Sequence, residues 1–191
     1  MSLKRPPFDE GWVSIDRRAK IGKATSRGDV RPMLTCAYLD HRGEDWFLCA
    51  TNSYILAQLP ISGQTEALPA GVVGLIPEAL AALDRSRTGR FRIFDGLCEV
   101  DGDPALYPTV GKKEGRPPAY GELFPDDKAV EKSKGVKEFG INPKFLADVS
   151  AAIGSCNQIR IRFISNLRPA VVEPLNGAEG CGLIMPIRLE V

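Results

Sequence analysis

The feature that most constrains the fold is an order of elements that occurs twice in the chain. An apolar stretch, a proline that starts a helical segment, a glycine and a strand with arginines between apolar residues appear around Pro77 and again around Pro143. Self-similarity at a period of 66 positions, from Pro77 to Pro143, indicates repeated supersecondary units. The chain is therefore expected to contain several copies of one α+β unit.

The copy near the end of the chain has the clearest local signals. Asn142 is a good helix N-cap and Pro143 suits the first helical position, which predicts a helix over Lys144–Ile153, ended by Gly154. Apolar residues and arginines alternate over residues 159–163, which predicts a half-buried strand. Two more apolar runs follow, at residues 169–172 and 182–189. With a strand before the helix, these elements make one βαβββ unit.

Two further units precede this one: a near-complete unit at the beginning of the chain and a compressed unit after it. For the near-complete unit we predict a helix over the basic segment Arg17–Arg27 and then three strands, at Pro32–Leu39, Asp45–Ala50 and Tyr54–Leu59, with a tight turn at His41–Glu44. For the compressed unit we predict the following elements: strand Gly71–Ile76, helix Pro77–Asp84, strand Arg90–Phe94 and strand Leu97–Val100. Residues 1–10 are expected to be a loose leader, and residues 101–122 an extended hairpin or a mobile loop.

Composition excludes several classes of protein. Hydrophobic residues make up 43% and charged residues 26%, as in ordinary globular proteins. No apolar run approaches the roughly 20 residues that a membrane helix needs, and the N-terminus does not resemble a signal peptide. We therefore expect a soluble, cytoplasmic protein. Because the formal net charge is only +1, binding to nucleic acid would depend on local basic patches.

The sequence gives little support for catalysis. The single histidine, His41, falls in a predicted turn, and no nucleophile elbow, phosphate loop, dinucleotide fingerprint or zinc motif is present. Asp101–Asp103 and Asp126–Asp127 lack the ligand number and spacing of a metal loop. The five cysteines are scattered, and we expect buried thiols rather than disulfides or zinc ligands. We predict that the protein is not an enzyme and needs no cofactor or metal.

Several stretches carry a family resemblance. Phe139–Asp148, Phe163–Pro174 and Leu183–Leu189 resemble the last half-domain of the bacterial DNA sliding clamp, the beta subunit of DNA polymerase III. The Met-Pro-Ile-Arg-Leu of the last stretch is the most specific part, because that family also ends in Met-Pro-x-Arg-Leu. Three further stretches are similar to its middle domain: Arg31–Leu34, Cys49–Ala57 and Leu123–Asp126. Asn52–Ile55 departs from the usual Asp-Gly-His-Arg, and Glu190–Val191 extends past the usual end.

The resemblance implies an α+β fold of the DNA-clamp type, with repeated βαβββ units, antiparallel sheets and helices on one face. When the matching stretches are taken in sequence order, the chain corresponds to a clamp's middle domain joined to the second half of its last domain. The implied division is a leader at 1–10, a clamp-like domain at 11–130 with units at 11–62 and 70–126, a linker at 131–137 and a half-domain at 138–191. An unpartnered half-domain leaves a sheet edge uncovered, so a homo-oligomer is expected.

The resemblance also implies two binding surfaces. Sliding clamps encircle double-stranded DNA through non-specific phosphate contacts, and the candidate DNA-binding residues are Arg17, Arg18, Lys20, Lys23, Arg27, Arg85, Arg87 and Arg90. Clamps also hold DNA polymerases and repair proteins by a short peptide in an apolar pocket. The matching pocket positions are Thr51, Ser53, Ile55, Leu56, Pro125, Val130, Leu183, Met185, Pro186, Ile187 and Arg188.

Three hypotheses follow. The first is a sliding-clamp-like processivity factor for DNA replication, which tethers partners to DNA. The second is a protein-interaction module that binds clamp-binding peptides without encircling DNA. The third is an unrelated α+β domain whose end resembles a clamp by chance. Separately, the plain interpretation of the segment Arg17–Arg27 is a solvated basic face, and that of the pocket positions is ordinary strand-end core residues.

Overall fold

The chain folds into one extensive antiparallel sheet system with a layer of helical segments against it. The computed structural model describes residues 6–28, 31–111, 118–125, 139–155, 157–165 and 167–187. The strands are β1 Val13–Ser14, β2 Ala37–Arg42, β3 Asp45–Thr51, β4 Ile55–Gly63, β5 Gly74–Leu75, β6 Arg90–Phe94, β7 Leu97–Val100, β8 Leu106–Val110, β9 Ile159–Arg162, β10 Ala170–Pro174 and β11 Cys181–Ile184. The α-helices are α1 Pro77–Arg85, α2 Tyr120–Leu123 and α3 Pro143–Ala152; short 3-10 helices occupy Ile21–Ala24, Pro32–Thr35 and Thr65–Ala67.

The strand order shows how the strands of the closed circuit and those near the end of the chain join. Strands β1 to β8 form a closed circuit, because β1 pairs with both β4 and β6. Strand β4 also pairs with β11, in the register Ile55↔Ile184 to Gln58↔Cys181, and β10 and β9 follow. The long strand β4 therefore connects the closed circuit to the sheet formed by the end of the chain.

Alternation along the central strands separates two apolar cores. Leu48 and Ala50 of β3 face the helix side, where α1 and α3 pack, whereas Cys49 between them faces the opposite side. On the helix side, α1 contributes the buried residues Leu80 and Leu83, and full burial of a leucine side chain contributes about 1.5–3 kcal/mol. The opposite core lies beneath the short helix α2, whose Tyr120 is 2% exposed.

Local signals predicted the two main helices and one hairpin. The backbone N–H of Lys144 donates to Oδ1 of Asn142 across 2.9 Å, so the predicted N-cap of α3 is confirmed. Helix α1 begins at Pro77 as predicted. Strands Arg90–Phe94 and Leu97–Val100 have the predicted bounds and pair with each other.

The predicted helix over Arg17–Arg27 is wrong. Only Ile21–Ala24 is helical, as one 3-10 turn. The backbone N–H of Lys20 donates to the carbonyl of Ala151 in α3 rather than within its own segment, across 2.9 Å. Gly22 lies so close to Asp84 that an added Cβ would meet Oδ2 of that residue at 2.9 Å. Contacts with both helices therefore replace the local helical hydrogen bonds.

Other differences arise where tertiary contacts override local pattern. Pro32–Thr35 is a 3-10 helix, and the strand predicted to begin at Pro32 begins at Ala37 instead. This strand continues through His41 and Arg42, so the predicted four-residue turn is reduced to Gly43 and Glu44. The strand predicted at residues 71–76 is reduced to Gly74–Leu75. Residues 101–122 contribute β8 and most of α2 rather than only a loop or hairpin. The predicted linker at 131–137 lies outside the described residues.

The leader predicted to be loose is held in place over residues 6–10. Arg92 is 1% exposed, and its guanidinium donates to the carbonyl of Pro7 at 2.7 Å and to that of Glu10 at 3.1 Å. The same guanidinium lies 2.9 Å from a carboxylate oxygen of Glu99 and 4.7 Å from the centroid of the Trp12 ring. A buried cation thus fixes residues 7–10 against β6 and β7.

Candidate peptide-binding cleft

A cleft of about 310 Å³ lies where the β3–β4 loop meets the end of the chain. Its lining is mostly apolar: Arg31, Met33, Leu34, Thr51, Ser53, Tyr54, Ile55, Leu56, Pro118, Leu123, Pro169, Leu183 and Met185. Arg31 is the only charged residue among these described lining residues, and it is exposed. A concave apolar surface with a few polar groups at its border suits an extended apolar peptide.

The β3–β4 loop is fixed by its own hydrogen bonds. The Thr51 hydroxyl donates to the carbonyl of Ile55 across 2.6 Å and accepts the N–H of Ser53 at 3.1 Å. Oδ1 of Asn52 accepts the N–H groups of both Tyr54 and Ile55 at 3.0 Å. Ser53 has a φ of 77°, a left-handed conformation that this bonding supports. The loop therefore holds its side of the cleft in one conformation.

A second border of the cleft comes from the end of the chain. Strand β11 pairs with β4 in a register that sets Leu183 opposite Leu56. Beyond β11, the backbone N–H of Met185 donates to the carbonyl of Tyr54 across 2.8 Å. Tyr54 also stacks on Phe145 of α3 with 5.0 Å between the ring centroids. The loop and the end of the chain are thus joined directly.

The short segment around α2 forms the third border. Tyr120 anchors it in the core opposite the main helices, together with Tyr38 and Leu183. Gly121 lies against Arg42, since an added Cβ would meet Nε of that arginine at 2.8 Å. Burial raises the pKa of the Tyr120 hydroxyl well above its usual range, so the anchor stays neutral. Pro118 and Leu123, on either side of this anchor, line the cleft.

The structure brings together six of the predicted pocket residues, all of which line the cleft: Thr51, Ser53, Ile55, Leu56, Leu183 and Met185. Pro125, Pro186 and Ile187 do not line it. The N–H of Ile187 instead donates to the carbonyl of Gly140 at 2.9 Å, which directs this part of the chain away from the cleft. Val130 and Arg188 lie outside the described residues.

Seven lining residues were missed in the sequence: Arg31, Met33, Leu34, Tyr54, Pro118, Leu123 and Pro169. Tyr54 lies between two predicted pocket residues, so its position in the loop was a usable signal. Leu123 belongs to a stretch that resembles the clamp pattern. Pro118, in contrast, follows a polar Gly- and Pro-rich stretch and gave no signal.

The candidate DNA-binding cations have different environments. Arg17, Lys23, Arg27, Arg87 and Arg90 are exposed. Arg18 forms an ion pair with Asp16 at 2.6 Å, and Arg85 lies 4.0 Å from Asp103. The Lys20 ammonium donates to the backbone carbonyl of Asp84. The guanidinium of Arg90 lies 5.1 Å from the centroid of the Trp12 ring. The cations therefore do not line one regular helix face.

Asp84 holds the basic segment against α1. Its carboxylate accepts backbone N–H groups of Gly22 and Ile21, which lower its pKa, but burial outweighs them and raises the pKa to about 6. Its Oδ1 is buried and has no hydrogen-bond partner among the described residues. Asp84 also borders a second cleft, of about 500 Å³, with Lys23 and Arg27.

No group of three or more His, Cys, Asp or Glu residues within the described part of the chain is arranged to hold a metal ion. Burial raises the pKa of the Cys98 and Cys181 thiols to about 12 and that of Cys49 further still, so these thiols stay protonated. Within the described residues, no helix is long and apolar enough to cross a bilayer.

Comparisons with known proteins identify the fold. No protein-family model matches the sequence, and a search of curated proteins found no match. Among solved structures, the beta subunit of DNA polymerase from Streptococcus pyogenes superposes with a TM-score of 0.68 at 18% identity, covering 99% of this chain and 68% of that one.

Two other clamps superpose to a similar degree. The sliding clamp from Bacillus subtilis gives a TM-score of 0.65 at 15% identity, covering 100% of this chain and 67% of that one. The clamp from Bartonella birtlesii, solved bound to griselimycin, gives 0.63 at 15% identity, covering 98% and 69%. The chain therefore has the α+β fold of bacterial DNA sliding clamps and corresponds to about two thirds of such a clamp.

Proposed function

We propose that this chain is a non-catalytic, sliding-clamp-like protein that holds its partners by capturing an extended peptide in the cleft beside Tyr54. The observation that carries the proposal is the join between the β3–β4 loop and the end of the chain, where the N–H of Met185 donates to the carbonyl of Tyr54. Both segments line the cleft, and this hydrogen bond joins them without a peptide in place. Preorganisation of this kind reduces the entropic cost of binding.

The chemistry of the lining indicates the class of peptide. Leu34, Leu183 and Met185 supply an apolar surface that suits leucine or phenylalanine anchors. Arg31 supplies one cation, which favours a peptide with an acidic residue beside those anchors. Given the resemblance to sliding clamps, the proposed partners are DNA polymerases or repair proteins that carry a clamp-binding peptide.

Binding of a labelled peptide, followed by fluorescence anisotropy, tests this proposal. A peptide with leucine and phenylalanine anchors is expected to bind saturably, whereas the same peptide with serine at both anchors is expected to lose most of its affinity. Equal binding of the two peptides, or no binding of either, would exclude the apolar cleft as the capture site.

Tethering to duplex DNA is the second candidate function. It is favoured by the exposed cations Arg17, Lys23 and Arg27 in the segment that packs between α1 and α3. Each phosphate contact releases counterions, so such binding weakens as salt rises. Two other cations of this segment are engaged within the chain, since Arg18 pairs with Asp16 and Lys20 donates to the carbonyl of Asp84, which makes peptide capture the better supported function.

Charge reversal separates the two candidates. Arg17→Glu with Lys23→Glu is expected to abolish salt-sensitive binding to duplex DNA if the basic segment contacts phosphates, and to leave peptide affinity unchanged. Arg168→Glu, at an exposed cation in the connection between β9 and β10, is the matched control. Equal DNA binding by both variants would exclude the basic segment as the contact surface.

A further inference from the structure

The cleft of about 500 Å³ that Asp84 borders lies between one face of α1 and residues 22–27. It shares no described lining residue with the peptide-binding cleft. Its volume is in the range of sites that take small molecules, about 300–1,000 Å³. The chemistry of its lining indicates which small molecule fits.

The two ends of this cleft are formed by different parts of the chain. At one end, Gly22 lies against Asp84, since an added Cβ would meet Oδ2 of that residue at 2.9 Å. The other end contains Pro77, just after β5, and Ser26, whose N–H donates to the carbonyl of Leu34 shortly before β2. The pairing of β2 with β5 brings these two residues together. Along α1, the stretch from Pro77 to Asp84 is about 10 Å long.

The inner oxygens of the cleft offer lone pairs rather than hydrogens. The Thr25 hydroxyl donates its hydrogen to the carbonyl of Gly22 across 2.8 Å. The Thr35 hydroxyl donates in the same way to the carbonyl of Pro32 across 2.7 Å. Oδ1 of Asp84 is buried and has no hydrogen-bond partner among the described residues. A buried acceptor without a donor costs free energy, which a ligand with an N–H group at this end would recover.

The rest of the lining suits an apolar face and a negative charge. Pro77, Leu80 and Ala81 follow the spacing of one helix face and give α1 an apolar strip along the cleft. Lys23 and Arg27, on the opposite wall, are both exposed. Two cations beside a cleft favour a phosphate or a carboxylate on the ligand.

We propose that this cleft binds a mononucleotide whose base carries an exocyclic amino group, with the amino group on Oδ1 of Asp84 and the phosphate beside Arg27. Such a molecule has an N–H donor, an apolar ring face and an anion in this order along its length. A polyamine would bring donors to Asp84 but no anion to Lys23 and Arg27. Inorganic phosphate would bring the anion but no donor to Asp84.

Titration calorimetry on the full-length chain with two matched nucleotides tests the proposal. The probes are adenosine 5′-monophosphate and purine riboside 5′-monophosphate, which lacks only the exocyclic amino group. The titrations are made well above the pKa of Asp84, which burial raises to about 6, so that its carboxylate is ionised. Adenosine 5′-monophosphate is expected to bind more tightly by about tenfold or more, because only its amino group supplies the missing donor.

Asp84→Asn assigns this preference to the carboxylate. The carboxylate of Asp84 accepts the N–H groups of Gly22 and Ile21, so the asparagine keeps its oxygen there and places its NH₂ where Oδ1 was. The NH₂ cannot accept from the base, and the variant is expected to bind the two nucleotides equally. Asp148→Asn, at a carboxylate that pairs with Lys144 on α3 and does not line the cleft, is the matched control and should keep the preference.

Arg27→Gln tests the phosphate end separately. This variant is expected to weaken binding of adenosine 5′-monophosphate several-fold and to leave the affinity for adenosine, which has no phosphate, unchanged. Three results would overturn the proposal: no saturable binding of adenosine 5′-monophosphate, equal affinity of the wild type for the two nucleotides, or an undiminished preference in Asp84→Asn. Equal affinity would mean that the cations attract any phosphate and that the cleft does not contact the base.

Discussion

Met185 donates its backbone N–H to the carbonyl oxygen of Tyr54 across 2.8 Å, which connects the end of the chain to the loop between β3 and β4. The two residues are far apart in sequence and both line the cleft. The cleft therefore depends on the pairing of β4 with β11, since that pairing places Met185 beside the loop.

Met185→Ala is expected to weaken binding of a peptide with apolar anchors by about tenfold, which corresponds to about 1.4 kcal/mol. The reason is that Met185 lines the cleft and is 41% exposed, so truncation removes contact area without opening the core. Titration calorimetry measures the change.

Ile187→Ala is the matched control, because Ile187 is 50% exposed, lies two residues further along the chain and does not line the cleft. It is expected to leave peptide affinity unchanged. An equal loss of peptide affinity in Ile187→Ala and Met185→Ala would mean that the peptide contacts the pocket residues predicted from sequence, which include Ile187, rather than only the observed cleft.

Gly22→Ala is expected to destabilise the protein. In a helix, alanine would be more stable than glycine by about 1 kcal/mol, but here the new Cβ would meet Oδ2 of Asp84 at 2.9 Å. Denaturant unfolding gives the sign of the change, and Gly28→Ala, where no atom lies within 4 Å of the added Cβ, is the control. A more stable Gly22→Ala variant would support the helix predicted from sequence.

Asp84→Asn is expected to raise the free energy of unfolding at neutral pH. Burial raises the pKa of Asp84 from 3.8 to about 6, so between these values the folded protein holds a proton that the unfolded chain has released. Stability therefore falls as pH rises through this window, and asparagine removes that loss. Urea unfolding of the wild type and the variant at several pH values measures this difference in free energy. The extra stability of the variant should vanish towards the acid end of the window. Extra stability that does not depend on pH would exclude the titration of Asp84 as its cause.

Arg92→Ala is expected to lower the free energy of unfolding by about 3–5 kcal/mol, because it breaks the buried ion pair between Arg92 and Glu99. It also releases the carbonyls of Pro7 and Glu10, so limited proteolysis near the start of the chain should accelerate. Arg162→Ala is the control: that arginine and Glu173 are each about a third exposed, and such pairs contribute up to about 1 kcal/mol. Equal losses in the two variants would contradict the anchoring role of Arg92.

Elements with local signals were predictable from sequence. The cap at Asn142, the proline at the start of α1 and the hairpin of β6 and β7 depend on neighbouring residues, and each formed where it was expected. The segment after Arg17 failed because its backbone bonds to Ala151 and its glycine packs on Asp84, neither of which is near in sequence. Tertiary contacts decided that segment.

The candidate site was predictable to the extent that it lies on strands. Thr51, Leu56 and Leu183 face the cleft because the registers of β3, β4 and β11 place them there. The border near Pro118 and Leu123 was not predicted, since its position depends on the side chain of Tyr120 in α2 packing into the core. No sequence period indicated that a helix of four residues would close this side.

Amide chemical shifts recorded during a titration with the apolar peptide test the central claim most directly. We predict that the largest changes cluster at the β3–β4 loop, from Thr51 to Leu56, and at Leu183 and Met185, with smaller changes near Leu123. Chemical-shift changes confined to other surfaces would contradict peptide capture in this cleft. The absence of any change at the highest peptide concentration of the titration would contradict it as well.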